Sequence, residues 1–232
     1  MREQIGGVAR GAGCVLVLTA SLALVSGLGC KSSHRHNAED RTKTGDGGSD
    51  AASANQSGSG PGIDLNCVID QLQNPSEPFH YSYKKTSDNP VEQEADVTPQ
   101  TVDGSFTNSS GSHAVHGVRS DQESWSGAMA GLTAVAGMSS TVALVNHSSA
   151  MVREGTEQVN GYDTTKYSID TSRGNFAEKG LYKVTLGDGG FEKGEAWVTA
   201  KGCPVKLSLD SESHMRNGDV DKEHYDLALV KK

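Results

Sequence analysis

The sequence predicts an α+β fold that is mainly antiparallel β, with a curved sheet covered by one or two apolar helices. Several segments alternate apolar and polar residues with a period of two, which is typical of half-buried strands. Short clusters of Gly, Asn and Asp separate many of these segments, as hairpin turns require. One long uncharged stretch, residues 126–145, instead places its large apolar residues at helical spacing.

The N-terminus has the features of a secretory signal peptide, which we place at residues 1–29. Arg2 and Arg10 precede an apolar run from Val15 to Val25, and small residues follow this run. The run is shorter than the roughly 20 apolar residues that a membrane-spanning helix needs. The segment is therefore predicted to be cleaved from the mature protein.

Residues Gly27-Leu28-Gly29-Cys30 resemble the lipobox of bacterial lipoproteins, in which a small residue precedes a cysteine that receives diacylglyceryl and acyl chains such as palmitate. The resemblance implies that Cys30 is lipidated and anchors the protein in the cell envelope. Because Lys31 and Ser32 follow the cysteine, with no aspartate beside it, the resemblance also implies the outer membrane, facing the periplasm. The alternative is ordinary signal-peptidase cleavage after Gly29, which would leave Cys30 as a free N-terminal thiol.

The mature chain is predicted to consist of a tether, residues 30–62, and one domain, residues 63–232. From Lys31 to Pro61 the chain is rich in Ser, Gly, Asp, Asn and Ala, so it cannot bury enough apolar surface to fold. A flexible coil of this length has an end-to-end distance of about 30 Å. The formal net charge of -8 argues against nucleic acid, or polybasic attachment to a membrane, as the main role of the globular part.

The domain is predicted to begin with a short helix and to continue as strands. Asp64 can cap a helix whose Leu65, Val68, Ile69 and Leu72 recur at helical spacing, and Asn74-Pro75 ends it. Alternation then predicts five strands, around Phe79-Tyr81-Tyr83, Tyr182-Val184-Leu186, Ala196-Val198-Ala200, Val205-Leu207-Leu209 and Tyr225-Leu227-Leu229. Glycine-containing turns separate the last four of them, which we expect to form successive hairpins.

The apolar stretch from Ser126 to Val145 is predicted to form one helix, or two short ones, that cover the sheet. A membrane span is the competing interpretation, but the glycines, serines and Thr141 of the stretch disfavour it. The simplest role of the cover is to close the hydrophobic core. The functional hypothesis is that the cover yields to a lipid, so that its large apolar residues contact an apolar ligand: Met129, Leu132, Val135, Met138 and Val142.

Cys67 and Cys203 are predicted to form a disulfide. Cys14 leaves with the signal peptide and Cys30 is the expected lipidation site, so two thiols remain in an oxidising compartment. Closing the long loop between them would stabilise the domain by on the order of 5 kcal/mol at most. Two unpaired buried thiols or zinc ligands are the alternatives, although neither cysteine has a CxxC neighbour.

Two segments resemble the LolA-like superfamily of lipoprotein carriers and lipid-binding lipoproteins. Val159-Asn160-Gly161-Tyr162 is similar to the family's VNG turn and the strand after it. Glu195-Ala196-Trp197-Val198, followed by Gly202-Cys203-Pro204-Val205, is similar to its tryptophan strand, turn and next strand. The resemblance covers roughly residues 79–230, and it implies a curved half-barrel closed by helices that shelters a lipid.

The sequence therefore favours a non-enzymatic envelope lipoprotein that binds or carries a lipid or another apolar ligand. The alternative is a structural or protein-interaction module of an envelope complex, with a core filled by its own side chains. No phosphate-binding or catalytic motif with convincing spacing indicates a cofactor or an enzyme. The histidines lack the spacing of a metal site within a rigid element, and His80, His116 and His214 are expected on the polar face of the strands.

Overall fold

The computed structural model describes residues 62–146 and 149–232. The signal peptide, Cys30 and the tether up to residue 61 lie outside the described residues, as do residues 147 and 148. The predicted domain, residues 63–232, is therefore described except at these two positions.

Nine antiparallel strands form one open sheet in the described residues. The spatial order is β4-β3-β2-β1-β9-β8-β7-β6-β5, so β4 and β5 are the two edges, while β1 and β9 pair near the middle. The sheet does not close on itself, and the predicted α+β fold with a mainly antiparallel half-barrel sheet is confirmed. The strands are β1 (Phe79–Thr86), β2 (Val91–Val97), β3 (Thr101–Asn108), β4 (Gly111–Val118), β5 (Met151–Val159), β6 (Tyr162–Asp170), β7 (Phe191–Val198), β8 (Pro204–His214) and β9 (Val220–Lys231).

Four α-helices accompany the sheet in the described part of the chain. The first precedes β1, the next two lie between β4 and β5, and the last connects β6 to β7. Two short 3-10 turns, Ala134–Met138 and Thr171–Arg173, lie before the third and fourth helices. The α-helices are α1 (Leu65–Gln73), α2 (Gln122–Leu132), α3 (Ser139–Asn146) and α4 (Phe176–Leu186).

One face of the sheet forms the hydrophobic core, because alternate side chains of each central strand point towards it. In β1, Phe79, Tyr81 and Tyr83 are buried, whereas His80 and Lys84 lie on the other face and are more exposed. Strands β8 and β9, both predicted, also bury alternate side chains. Strand β7 was predicted to reach Ala200, but it ends at Val198. The core is thus assembled from the period-two pattern read in the sequence.

The predicted first helix is confirmed as α1. The carboxylate of Asp64 accepts a hydrogen bond from the backbone N–H of Asn66 and caps the helix, and Leu65, Val68 and Leu72 are buried. The predicted Cys67–Cys203 disulfide is also present, with 5.3 Å between the two Cα atoms. It fastens α1 to the turn between β7 and β8, where the Asp64 N–H also donates to the carbonyl of Gly202 at 2.8 Å.

The predicted cover consists of α2, the 3-10 turn Ala134–Met138 and α3. By length and composition alone, the stretch Gln122–Asn146, with a mean hydropathy of 1.6, could cross a membrane, a test that the core helices of folded domains also pass. In the fold this stretch is interrupted by the 3-10 turn, and its large apolar side chains other than Leu144 are buried in the same hydrophobic core as the sheet. These features support the interpretation as a cover.

The predicted strand around Tyr182-Val184-Leu186 is wrong, because these residues belong to helix α4. Asn175 and Glu178 form a capping box at the start of this helix, in which each side chain binds the other's backbone N–H. Tyr182 and Leu186 are buried and lie four residues apart on one helical face, while Val184 points to solvent. The same three residues also fit a period of two, so the capping box, and not the apolar spacing, distinguishes the helix.

Candidate functional site

The cover is hydrogen-bonded to the sheet through the buried side chain of Gln93 in β2. The Tyr81 hydroxyl donates to Oε1 of Gln93 at 2.9 Å, and Nε2 of Gln93 donates to the carbonyl oxygen of Gly131 near the end of α2. An unpaired amide would be costly in this apolar interior, so the two hydrogen bonds favour one position of the cover. Gln93 therefore connects β1, β2 and α2.

Two glycines allow α2 to lie close to strands β3 and β4. A Cβ atom at Gly117 would lie 2.8 Å from Cβ of Ala128 and 2.9 Å from Cγ1 of Val102. A Cβ atom at Gly131 would lie 3.3 Å from Cγ2 of Val115. The cover thus lies nearly in contact with the backbone at the β4 edge of the sheet.

The five predicted ligand-contacting residues of the cover are all buried in the hydrophobic core. Their exposed fractions lie between 0 and 5%, and none of them lines the groove described next. A ligand could therefore reach them only if the cover moved away from the sheet. The five are Met129, Leu132, Val135, Met138 and Val142.

A groove of about 400 Å³ runs between α2 and strands β3 and β4 at the β4 edge of the sheet. Its volume lies within the range of roughly 300–1,000 Å³ that is typical of small-molecule sites. Apolar groups from both sides of the groove line it, including Phe106, Val115, Ala128 and the glycines at 127 and 131. A Cβ atom added at Gly127 would meet no atom of the described residues within 4 Å, so the helix side of the groove is open at that point.

Polar groups lie at the rim of this groove. The imidazole of His113 stacks on the ring of Phe106 with 6.3 Å between the ring centroids. Nδ1 of His116 lies 2.6 Å from Oδ1 of Asp103 in an exposed pair, and Glu123 extends from the first turn of α2. The groove therefore combines an apolar floor with titratable groups at its opening.

A second cluster joins tyrosines and a carboxylate at the ends of β1 and β9. The Tyr225 hydroxyl donates to Oε2 of Glu223, and Nζ of Lys85 pairs with Oε1 of the same carboxylate. Burial, followed by the nearby Glu223 charge, raises the pKa of Tyr83 to about 12. Burial and the hydrogen bond to Glu223 raise the pKa of Tyr225 as well. Both phenols are therefore neutral near pH 7 and can donate hydrogen bonds.

Glu192 is a buried carboxyl in β7, with 1% of its surface exposed. Its Oε2 atom has no hydrogen-bond partner among the described residues. Loss of water around the carboxyl raises the pKa of Glu192 to about 8, because burial disfavours the charged form. The side chain is thus mainly protonated at neutral pH.

Four histidines of the described residues lie beside carboxylates at the surface. His80 lies beside Asp96, His214 beside Glu212, and His224 between Asp210 and Asp226. Within residues 62–146 and 149–232, no group of three or more His, Cys, Asp or Glu side chains is arranged to hold a metal ion. The expected position of His80, His116 and His214 on the polar strand face is confirmed, since each is paired with an acidic residue of its own or the neighbouring strand.

Sequence reasoning missed three features of this region. Gln93 and Glu192 occupy inward-facing strand positions. The period-two pattern of their strands could have identified them in the sequence as polar residues on the buried face. Phe106 lies in β3, a strand with weak alternation, so its place in the groove depends on strand pairing with β4. Its neighbour in that pairing is His113.

No family model matches the chain, and no curated protein is significantly similar to it. The resemblances to lipoproteins and to LolA-like domains therefore stay predictions. Cys30, on which the lipoprotein prediction depends, lies outside the described residues.

Proposed function

We propose that the protein is an exported cell-envelope lipoprotein, anchored through Cys30, that binds or carries a lipid or another apolar ligand without converting it chemically. The observation that carries the proposal is the groove of about 400 Å³ between α2 and strands β3 and β4. It lies where an apolar cover meets an open sheet edge, which is a place where a ligand can enter without crossing the hydrogen-bonded middle of the sheet.

The ligand's apolar part would contact Phe106, Val115 and Ala128, and each methylene that leaves water there contributes about 0.8 kcal/mol. A polar end would lie near His113 and Glu123 at the rim. A longer chain would displace α2 and reach Met129 and Leu132, and then the other three residues of the predicted set. Breaking the hydrogen bond between Gln93 and Gly131 is the first step of such a displacement.

Filling the groove tests this proposal. Gly127→Leu places a side chain into open space of the groove, so we expect it to weaken binding of the fluorescent fatty acid cis-parinaric acid at least about tenfold. Gly137→Leu is the matched control. Gly137 also belongs to the cover, and an added Cβ there also meets no atom within 4 Å in the part of the chain that the structure describes, but Gly137 does not line the groove. Equal loss in both variants, or none in either, would contradict the assignment of the groove.

A protein-interaction module is the second candidate function. It is favoured by the filled interior, in which the five large apolar residues of the cover are at most 5% exposed. In that case the parent protein would not bind cis-parinaric acid at all, and it would copurify from the envelope with a stoichiometric protein partner.

The anchor is tested by intact mass spectrometry of the full-length protein expressed in a bacterial envelope and extracted in detergent. We expect a chain that begins at Cys30 and carries acyl chains, with a mass that rises by two hydrogens on reduction of Cys67–Cys203. An unmodified chain that begins at Cys30 would refute the anchor and leave a secreted domain with an additional thiol.

A further inference from the structure

The exposed large hydrophobic residues of the described chain gather at one end of the sheet. Antiparallel pairing places the start of β5, the end of β6, the start of β7, the end of β8 and the start of β9 at that end, and α4 connects β6 to β7 there. All six such residues belong to α4, to the start of β5 or to the β8–β9 turn region, and they are Val152, Phe176, Leu181, Val184, Met215 and Val220.

Helix α4 contributes three of them, including the two most exposed. Phe176 is 94% exposed, Val184 85% and Leu181 50%. Because successive residues of a helix turn by about 100°, these three fall within about 140° of one face, and only Ala177 and Gly180 lie between them. This face, called the α4 apolar face below, is continuous and has no charged residue within it.

The opposite side of α4 is fixed to the domain. Tyr182 and Leu186 are buried together with Leu144 and Ala150. The Glu178 carboxylate accepts hydrogen bonds from the N–H and the hydroxyl of Ser149, at 3.0 and 2.6 Å. The α4 apolar face is therefore presented by a packed helix.

We infer that the α4 apolar face docks onto a lipid surface. Its large side chains project into solvent and do not line the groove between α2 and strands β3 and β4, a shape that suits a fluid lipid interface better than a matching protein pocket. Lys179 and Lys183 border the face on one side, and such side chains can place their ammonium groups among lipid phosphates. Lys183 pairs with the exposed Asp188 at 2.9 Å, an exposed ion pair of the kind that contributes little stability.

The segment that leads from Cys30 to the described residues also indicates a membrane as the partner of the α4 apolar face. Here the inference rests on the proposed anchor at Cys30. The described chain begins at Gly62, and Ile63 exchanges hydrogen bonds of 2.8 and 2.7 Å with the Asn146 side chain. Ser149, which contacts α4, is three residues after Asn146. The distance from Asn146 to Ser149 is therefore at most about 11 Å. The predicted tether of 30–62, with its end-to-end distance of about 30 Å, is long enough for α4 to reach the membrane that holds Cys30.

An anchored chain makes docking intramolecular, which raises the effective concentration of lipid at the α4 apolar face. The domain would then lie on the membrane through the α4 end.

The test uses the chain from residue 30 with Cys30→Ser, so that its outcome does not depend on lipidation. We expect this protein to float with vesicles of phosphatidylethanolamine and phosphatidylglycerol. Phe176→Gln with Val184→Gln should weaken binding at least about tenfold, because two exposed apolar side chains no longer enter the lipid, while glutamine preserves helix propensity. Ser126→Gln with Ala130→Gln, on the exposed side of α2, is the matched control and should bind as the parent does.

Equal binding by the parent and the Phe176/Val184 variant would overturn the proposal. So would a parent that forms dimers in sedimentation velocity while this variant stays monomeric, since a second copy would then cover the face. Circular dichroism shows whether the variants are folded. We expect them to be, because Phe176 and Val184 are both highly exposed in the parent. Vesicle binding and cis-parinaric acid binding are separate measurements. A negative result for the groove therefore does not affect the test of membrane docking, and a negative docking result does not affect the test of the groove.

Discussion

Glu192 occupies a strand position that the alternation of β7 assigns to the core. A carboxyl group in that place must give up its hydration, and the fold meets this cost by keeping the group protonated, with the pKa raised to about 8. An unfolded chain returns the group to a value near 4.5, so its ionisation is coupled to folding.

Glu192→Gln should stabilise the domain increasingly as the pH rises. Below about pH 4.5 the carboxyl is neutral in both states and the variant and the parent should have similar stability. Between about pH 4.5 and 8 the unfolded parent releases its proton and the folded parent does not, so the parent loses stability relative to the variant. The loss levels off above about pH 8, at up to on the order of 5 kcal/mol. Urea unfolding at pH 5, 7 and 9 measures the difference.

Glu92→Gln is the control for this pH series, because Glu92 is an exposed carboxylate of β2. Its effect should stay within about 0.5 kcal/mol at each pH. A constant difference between Glu192→Gln and the parent across the series would show that Glu192 is ionised in the folded protein.

At the scale of elements, the cover and the sheet are joined by a polar contact inside an apolar layer. The Tyr81–Gln93–Gly131 chain of hydrogen bonds links β1, β2 and α2. Apolar packing by itself does not discriminate strongly between neighbouring positions of a helix, whereas an unpaired buried amide does.

Gln93→Ala should destabilise the domain by about 2–3 kcal/mol, because it leaves the Tyr81 hydroxyl and the Gly131 carbonyl without their partner. Tyr81→Phe should lower the free energy of unfolding less in the Gln93→Ala background than in the parent, because the Tyr81 hydroxyl has then already lost its hydrogen bond to Gln93. Urea unfolding of the four proteins of this double-mutant cycle measures the coupling, and strictly additive effects would show that the two side chains do not interact.

Helix α4 shows how local geometry decides an element that periodicity leaves ambiguous. Gly187 ends the helix with a φ of 82°, and a Cβ atom there would lie 1.9 Å from the carbonyl oxygen of His214. At Gly180, in the middle of the same helix, an added Cβ would have no atom from residues 62–146 or 149–232 within 4 Å. The two glycines should therefore respond to the same substitution in opposite ways.

Gly187→Ala should destabilise the domain by several kcal/mol, on the order of 3, because of the backbone clash and the unfavourable φ. Gly180→Ala should stabilise it by about 0.5–1 kcal/mol through higher helix propensity. Thermal unfolding followed by circular dichroism compares the pair. Destabilisation by Gly180→Ala would mean that its exposed face is already occupied, for example by a second copy.

At the scale of the whole molecule, the Cys67–Cys203 bond joins two parts of the domain that are 136 positions apart. It holds α1 against the turn between β7 and β8, beside the hydrogen bond from Asp64 to Gly202. A cross-link of this span removes much of the conformational freedom of the unfolded chain.

Cys67→Ser with Cys203→Ser should lower the free energy of unfolding by about 2–5 kcal/mol. Urea unfolding of the parent with and without dithiothreitol gives the matched comparison, and the reductant should destabilise the parent but leave the double variant unchanged. A double variant as stable as the oxidised parent would contradict a stabilising role for the bond.

Strands β2 to β5 were missed in the sequence. Strand β2 does alternate, with Gln93 as one of its inward-facing residues, whereas the residues of β3, β4 and β5 do not alternate cleanly. The edge strand β5 is exposed at seven of its nine positions, and β4 is exposed along its first half. Such strands are specified by hydrogen bonds to a neighbour, as in the β3–β4 register that pairs Phe106 with His113. A pattern read along one chain segment contains no information about that neighbour.

The sequence by itself determined the capped first helix, the inward face of the central strands and the apolar cover, because burial periodicity and capping side chains are local properties. It also determined the disulfide, because only two cysteines remain once Cys14 and Cys30 are accounted for. Only the tertiary structure decided that β1 pairs with β9, that Gln93 connects the cover to the sheet, and that α4 turns an apolar face outwards. These features depend on which distant residues meet. The energy of a buried amide or an exposed phenylalanine is set by its neighbours in space, and those neighbours appear only when the chain is folded.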